Sequence, residues 1–164
     1  MFIRLTVFLL ISILLINLSP ATYALENTLI TEQELNLTGF SGYESINPNL
    51  LIYPIKQLIE KIELTLKFNQ ENKTKYQYTL LDKRFEELVF IINFKKTGFL
   101  EETVQRYNSH LGNLIANNKN LASDYKDKIL NYTIVLKTLQ DRYDSTSAYR
   151  LLIQQAIDTT RRLN

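Results

Sequence analysis

Tyr78-Thr79-Leu80-Leu81-Asp82-Lys83-Arg84-Phe85-Glu86-Glu87-Leu88-Val89-Phe90-Ile91-Ile92 decides the fold. Tyr78, Leu81, Phe85, Leu88 and Ile92 recur in alternating steps of three and four, the period of one helical face. Phe90, Ile91 and Phe94 broaden that face, so the helix meets several neighbours or carries a self-associating patch. At about 26 residues and 1.5 Å per residue, it is expected to be roughly 39 Å long. Lys95-Lys96-Thr97-Gly98 marks its end, with basic residues at the negative pole of the helix dipole and glycine just beyond.

The same spacing continues on both sides. Upstream, Leu51, Ile55, Leu58, Ile59, Ile62 and Leu66 form a stripe. Pro54 suits the first turn there, where its missing N–H costs nothing. Asn69 can end this helix and cap the next. Downstream, Leu100, Val104, Tyr107, Leu111 and Leu114 form a third stripe, with Glu101 and Glu102 in the first turn. It fades through Asn117-Asn118-Lys119-Asn120. A fourth helix opens near Ser123 and carries Ile129, Tyr132, Leu136, Leu139 and Tyr143. Asp144-Ser145-Thr146-Ser147 caps a fifth, with Tyr149, Leu152, Ala156 and Leu163 as its stripe. An average step near 3.5 residues suits helices packed at shallow angles, and short links make consecutive helices antiparallel. The expected fold is all-α: an elongated antiparallel bundle of four to five helices over residues 51–164, behind an N-terminal signal helix.

Residues 25–50 read as a flexible leader or spacer. Gly39, Gly42, Asn47 and Pro48 punctuate this stretch. A short helix at Thr31–Leu37 is the one regular element it suggests, with Thr31 and Glu34 at capping-box spacing. Residues 1–24 have the layout of a secretory signal: Arg4, an apolar run from Leu5 to Leu18, then Ser19-Pro20-Ala21-Thr22-Tyr23-Ala24. A membrane-spanning helix needs about 20 apolar residues, and this run is shorter and diluted by Thr6, Ser12 and Asn17. Cleavage after Ala24 is expected, which makes the domain extracytoplasmic. The alternative is an uncleaved signal that anchors it to the membrane through residues 2–18.

Composition limits the function. Removing 24 of 164 residues leaves 140, one ordinary domain. Taking Arg4 from 19 basic residues leaves 18, against 17 acidic. That balance gives no electrostatic reason to expect nucleic acid as a partner, or a membrane beyond the N-terminal segment. The chain has no cysteine, so disulfides, thiol catalysis and cysteine metal sites are excluded and stability rests on apolar burial. Four glycines and three prolines are too few for a sandwich of many short strands.

The segment from Asn47 to Glu87 resembles a known family. Ile52-Tyr53-Pro54-Ile55-Lys56, Glu60-Lys61-Ile62-Glu63-Leu64 and Phe68-Asn69 look like the opening of a bacterial exported family known as domain of unknown function 5667. Glu71, Lys73, Asp82, Lys83, Arg84 and Glu87 fit its long second helix, and the resemblance covers roughly residues 47–164. Members often have Asp-Pro where Asn69-Gln70 stands, and a histidine where Gln77 stands. The resemblance implies an exported helical domain with no established activity and no catalytic residues to carry over.

No residue is assigned a catalytic, cofactor-binding or metal-binding role. His110, the single histidine, has no Asp or Glu three or four positions away, so a structural role is expected. The neighbours Glu86-Glu87 and Glu101-Glu102 point about 100° apart on a helix and do not converge. They read as solvated faces, and Glu60 and Glu63 with Lys56 and Lys61 read as surface pairs. Nine tyrosines remain after cleavage of a chain without tryptophan. Tyr78, Tyr107, Tyr132, Tyr143 and Tyr149 are expected to bury their rings and keep their hydroxyls wet at the rim. Sequons at Asn36, Asn72 and Asn131 matter only in a eukaryotic secretory route. The expected function is that of an exported, non-enzymatic structural or protein-interaction domain, acting through helix faces on a protein partner or on itself. The alternatives are an anchored accessory or sensor domain and an extracytoplasmic metal- or ligand-binding bundle.

Overall fold

The computed structural model describes residues 29–36, 40–117 and 123–162. The signal or anchor reading of residues 1–24 and the place given to Leu163 lie outside them. The described elements are α1 (Glu32–Asn36), α2 (Tyr53–Leu66), α3 (Gln70–Asn93), a 3-10 turn (Thr97–Phe99), α4 (Leu100–Asn117), α5 (Ser123–Gln140) and α6 (Ala148–Arg161). No strand occurs among the described residues, and the fold is all-α.

Four helices, α3 to α6, enclose the core. Leu81, Phe85, Leu88 and Ile92 of α3 meet the whole expected α4 stripe and Ile129, Tyr132, Leu136 and Leu139 of α5. The Phe85 ring stacks on Tyr132 at 3.6 Å between centroids. On α6 the buried line is Ile153, Ala156, Ile157 and Thr160, and Tyr149 is exposed. The expected α6 stripe is therefore rotated. Its buried polar member, Thr160, bonds the hydroxyl of Tyr107 at 2.8 Å, a partnership that hydrophobicity alone does not reveal. That Tyr107 hydroxyl is buried, where a wet rim position was expected.

Consecutive helices do run antiparallel: Phe85 meets Tyr107 while Gln77, nearer the start of α3, meets His110, further along α4. The packing order is less simple. Round the bundle it is α3–α4–α6–α5, which puts α4 and α5 on a diagonal. The helices α3 and α5 then lie side by side and parallel. Tyr78 stacks on Tyr125 at one end, and Ile92 accepts a bond from Tyr143 at the other.

The caps follow local chemistry. Asn69 accepts from the Glu71 N–H at 2.8 Å and starts α3, and Ser147 caps α6 through Tyr149. The C-terminus of α3 differs from expectation. The residue that turns left-handed is Lys95, at φ 51°, and Lys96 N–H closes onto Ile91 O in a Schellman-type cap. Gly98 lies three residues further on, inside the 3-10 turn.

The described part of residues 25–50 is packed on the bundle, a correction to the flexible spacer expected there. Thr31 and Glu34 form the capping box: Glu34 accepts from Thr31 N at 2.8 Å, and Thr31 Oγ1 accepts from Glu34 N at 3.3 Å. This short helix aims Leu35 into the core, where Phe40 joins it. Asn93 clamps the strand-like start of the segment, accepting from Ile30 N at 3.2 Å and donating to Ile30 O at 2.9 Å. Gly42, at φ 138°, takes a turn closed to side chains and seats Tyr43 against Phe90 and Phe94. The broadened face of α3 is thus met by the segment before α2. An irregular segment buries single residues without a period, so no stripe marked it.

Candidate functional site

The helix α2 packs the opposite way round from expectation. Its stripe faces solvent: Ile52, Ile55, Ile59, Ile62 and Leu66 are each between 50% and 60% exposed. Leu51, Leu58 and Phe68 extend the same apolar surface. The side turned to the bundle holds Tyr53, Lys56 and Glu60, all buried.

The reason lies on α3. Glu87 is fully buried, and an unpaired buried carboxylate is costly. The inner side of α2 satisfies it. Tyr53 donates its hydroxyl to Oε2 at 2.6 Å, and Lys56 Nζ donates to Oε1 at 2.6 Å. Arg84, one turn back on α3, adds a bond to Oε1 at 2.9 Å. Lys56 also donates to Ile46 O at 2.9 Å and forms an ion pair with Glu44, 3.3 Å away. Arg84 also pairs with Glu60. Arg106 of α4 lies over the Tyr53 ring, 4.7 Å from its centroid. Burial, and then the negative charge of Glu87, push the Tyr53 hydroxyl far above its ordinary pKa, so it stays a donor. Three carboxylates face three cations here, and each main contact is charge-assisted. The reading of Glu60 and Lys56 as surface pairs, and of Glu87 as a solvated face, is corrected: these residues are the inside of the α2–α3 contact. Glu101 and Glu102 are exposed in the first turn of α4, as expected.

Beside this cluster, a cleft of about 500 Å³ opens between α2, α3 and α4, lined in part by Lys61, Gln105, Arg106 and His110. Arg106 Nε and Nη1 are buried without a hydrogen-bond partner in the chain. His110 Nε2 bonds Gln77 O at 2.9 Å, and burial pushes its pKa below the usual value. It is therefore a neutral structural ring at ordinary pH. On the far side of α3, Asp82 accepts from Tyr132 at 2.5 Å and Tyr125 at 3.0 Å, and pairs with Lys128 at 2.6 Å. These groups neutralise one another between helices. Among the described residues no three His, Asp or Glu side chains are grouped to hold a metal ion.

The outward face of α2 carries the chemistry left over. Its steps of three and four form the a and d seam of a heptad. Two grooves flank it. One, of about 450 Å³, runs along Ile52, Ile55 and Ile59 with Ile46 beside them, and its remaining wall is charged, from Glu44, Lys56, Glu60, Glu63 and Lys83. The other, of about 220 Å³, lies by Ile62 and Leu66. The expected stripe holds Ile55, Ile59, Ile62 and Leu66 of this seam but not Ile52, and it was set to face inward. Tyr53 and Arg84 enter only through a resemblance, and Lys56, Glu60 and Glu87 also as solvated groups. The available signal was their spacing: steps of three and four put Tyr53, Lys56 and Glu60 on one line, about 100° round the helix from the seam, and Arg84 and Glu87 on one line of α3.

Residues 45–146 match the model of a family described as Domain of unknown function (DUF5667). The match takes in α2 through α5 and every residue of the charge cluster except Glu44. No curated protein and no solved structure matches the chain.

Proposed function

The chain belongs to the DUF5667 family, and from that premise we propose that it is an exported, non-enzymatic interaction domain whose docking surface is the outward face of α2. One observation carries this reading: the inside-out setting of α2, with five seam residues half exposed or more. Soluble monomers rarely leave a continuous apolar face of this size uncovered. A seam at heptad spacing fits an α-helix, whose side chains enter the holes between Ile52, Ile55, Ile59 and Ile62.

Export is supported by the signal-like layout of residues 1–24 and by a chain that uses no cysteine. The non-enzymatic reading is supported by the contacts of the buried charges, since Lys56 and Glu87 are bonded to each other and to further groups of the chain. Among the described residues no helix is long and apolar enough to cross a membrane. The mass of the mature chain separates free from anchored forms: a start at Leu25 supports release, and retention of residues 1–24 supports an anchor.

The docking reading is tested by placing a photo-crosslinking side chain at position 59 in the producing cell, with position 151 as control. Leu151 is 63% exposed on α6. The expected result is an adduct at 59, absent at 151, that maps to an apolar helical segment. No adduct at 59 above the control contradicts the docking surface.

A further inference from the structure

We infer that the helix covering this seam is α2 of a second copy of the chain, paired about a two-fold axis; the inference rests on the docking reading above. The seam runs the whole length of α2, from Ile52 to Leu66, so its natural complement is a helix of about the same length and character. A second α2 is such a helix. A two-fold pairing sets the same patch against itself, and isoleucine at most seam positions supplies β-branched knobs for the facing holes. With the lower end of the roughly 150–250 Å² that a large aromatic side chain spans taken for each of these smaller ones, the exposed seam and its flanks offer on the order of 800 Å². A standard interface uses about 800 Å² per partner, so two copies suffice.

The grooves support the same geometry. The larger lies beside the N-terminal half of α2, at Ile52 and Ile55, and the smaller beside its C-terminal end, at Ile62 and Leu66. An antiparallel pairing brings the C-terminal end of one α2 to the larger groove of the other. A lipid surface is a poorer occupant. An interfacial helix keeps its polar face free for water and headgroups, whereas the polar face of α2 is committed to Glu87 and Arg84. The rim also mixes signs, with Lys61 and Lys83 near Glu63, and gives no net pull toward anionic lipid.

The chain has no cysteine, so one substitution gives a clean probe. Sedimentation equilibrium of the protein as recovered from cells is expected to give twice the chain mass. Ile59→Lys is expected to weaken self-association by on the order of 100-fold, because each copy loses one buried seam residue, with far-UV circular dichroism unchanged. Ile59→Cys is expected to form disulfide-linked pairs under mild oxidation, and Leu151→Cys is not. A single-copy mass for the unmodified protein overturns the inference, as does Ile59→Cys pairing no faster than Leu151→Cys. The in-cell adduct separates the two readings. A product containing only this chain at twice its mass supports both. A product with another protein, or one within a single chain mapping to residues 5–18, overturns self-pairing and leaves the docking surface standing. No product at all overturns both.

Discussion

Leu111 on α4 and Ile59 on α2 hold equivalent places in the sequence pattern, each in a run of apolar steps of three and four. In the fold Leu111 is 0% exposed and Ile59 is 50% exposed. Spacing shows which residues share a helical face; it does not say where that face looks. For α4 the opposite face carries Glu101 and Glu102, which need water. For α2 the neighbouring face carries Tyr53, Lys56 and Glu60, which need Glu87 and Arg84 and are bonded to them. Burying charge costs heavily when a partner is missing. Turning α2 over would leave Glu87 with Arg84 alone and expose Lys56 for no gain. The charge cluster therefore outweighs the apolar stripe and sets the helix inside out.

The difference between the two regions can be attacked from its polar side first. Glu87→Leu leaves Lys56 and Arg84 buried without their carboxylate, and is expected to cost about 3–5 kcal/mol in urea unfolding. Lys56→Met added to it is expected to recover part of that loss, since the pair then becomes apolar on both sides. A loss under about 1 kcal/mol for Glu87→Leu would show that water reaches the cluster.

On the apolar side, Leu111→Ala is expected to cost about 2–5 kcal/mol through the cavity it opens. Ile59→Ala, at a dilution where the protein sediments as single copies, is expected to stay within about 0.5 kcal/mol. Equal costs would erase the contrast between the two stripes.

The smallest effect is a pH dependence at the edge of the charged contact. Burial holds the folded pKa of His110 below its unfolded value near 6.5. The unfolded chain therefore binds the proton first, and stability falls as pH drops below about 6.5 toward the folded pKa. His110→Gln is expected to flatten the urea midpoint between about pH 7 and pH 5.5. An NMR titration placing the folded His110 above 6.5 would reverse the sign.

Most of the frame is legible in the sequence because three helices, α3, α4 and α5, bury the stripes their spacing marks. Leu81, Phe85, Leu88 and Ile92 are buried where their spacing puts them, and Asn69 caps where its side chain allows. Elsewhere the deciding contact lies far along the chain. The setting of α2 depends on Glu87, 31 residues beyond Lys56, and no local pattern shows that link. The segment before α2 is fixed by Asn93, 63 residues from Ile30. The turn of α6 depends on a hydroxyl pair, Tyr107 with Thr160, that a hydrophobic reading discounts. Lys95 takes the left-handed position after α3 because the helix stops at Asn93, four residues short of the glycine's neighbour Thr97. The outward seam was visible as a stripe, and its direction was not.

The central claim is that α2 buries its charges and shows its apolar side. Two adjacent residues test it most directly: Ile59→Lys and Glu60→Leu, compared by urea unfolding at a dilution where the protein sediments as single copies. With α2 inside out, Ile59→Lys leaves stability within about 0.5 kcal/mol. Glu60→Leu strips Arg84 of a carboxylate and costs about 3 kcal/mol. The reverse order, a large loss at 59 and little change at 60, would contradict the account.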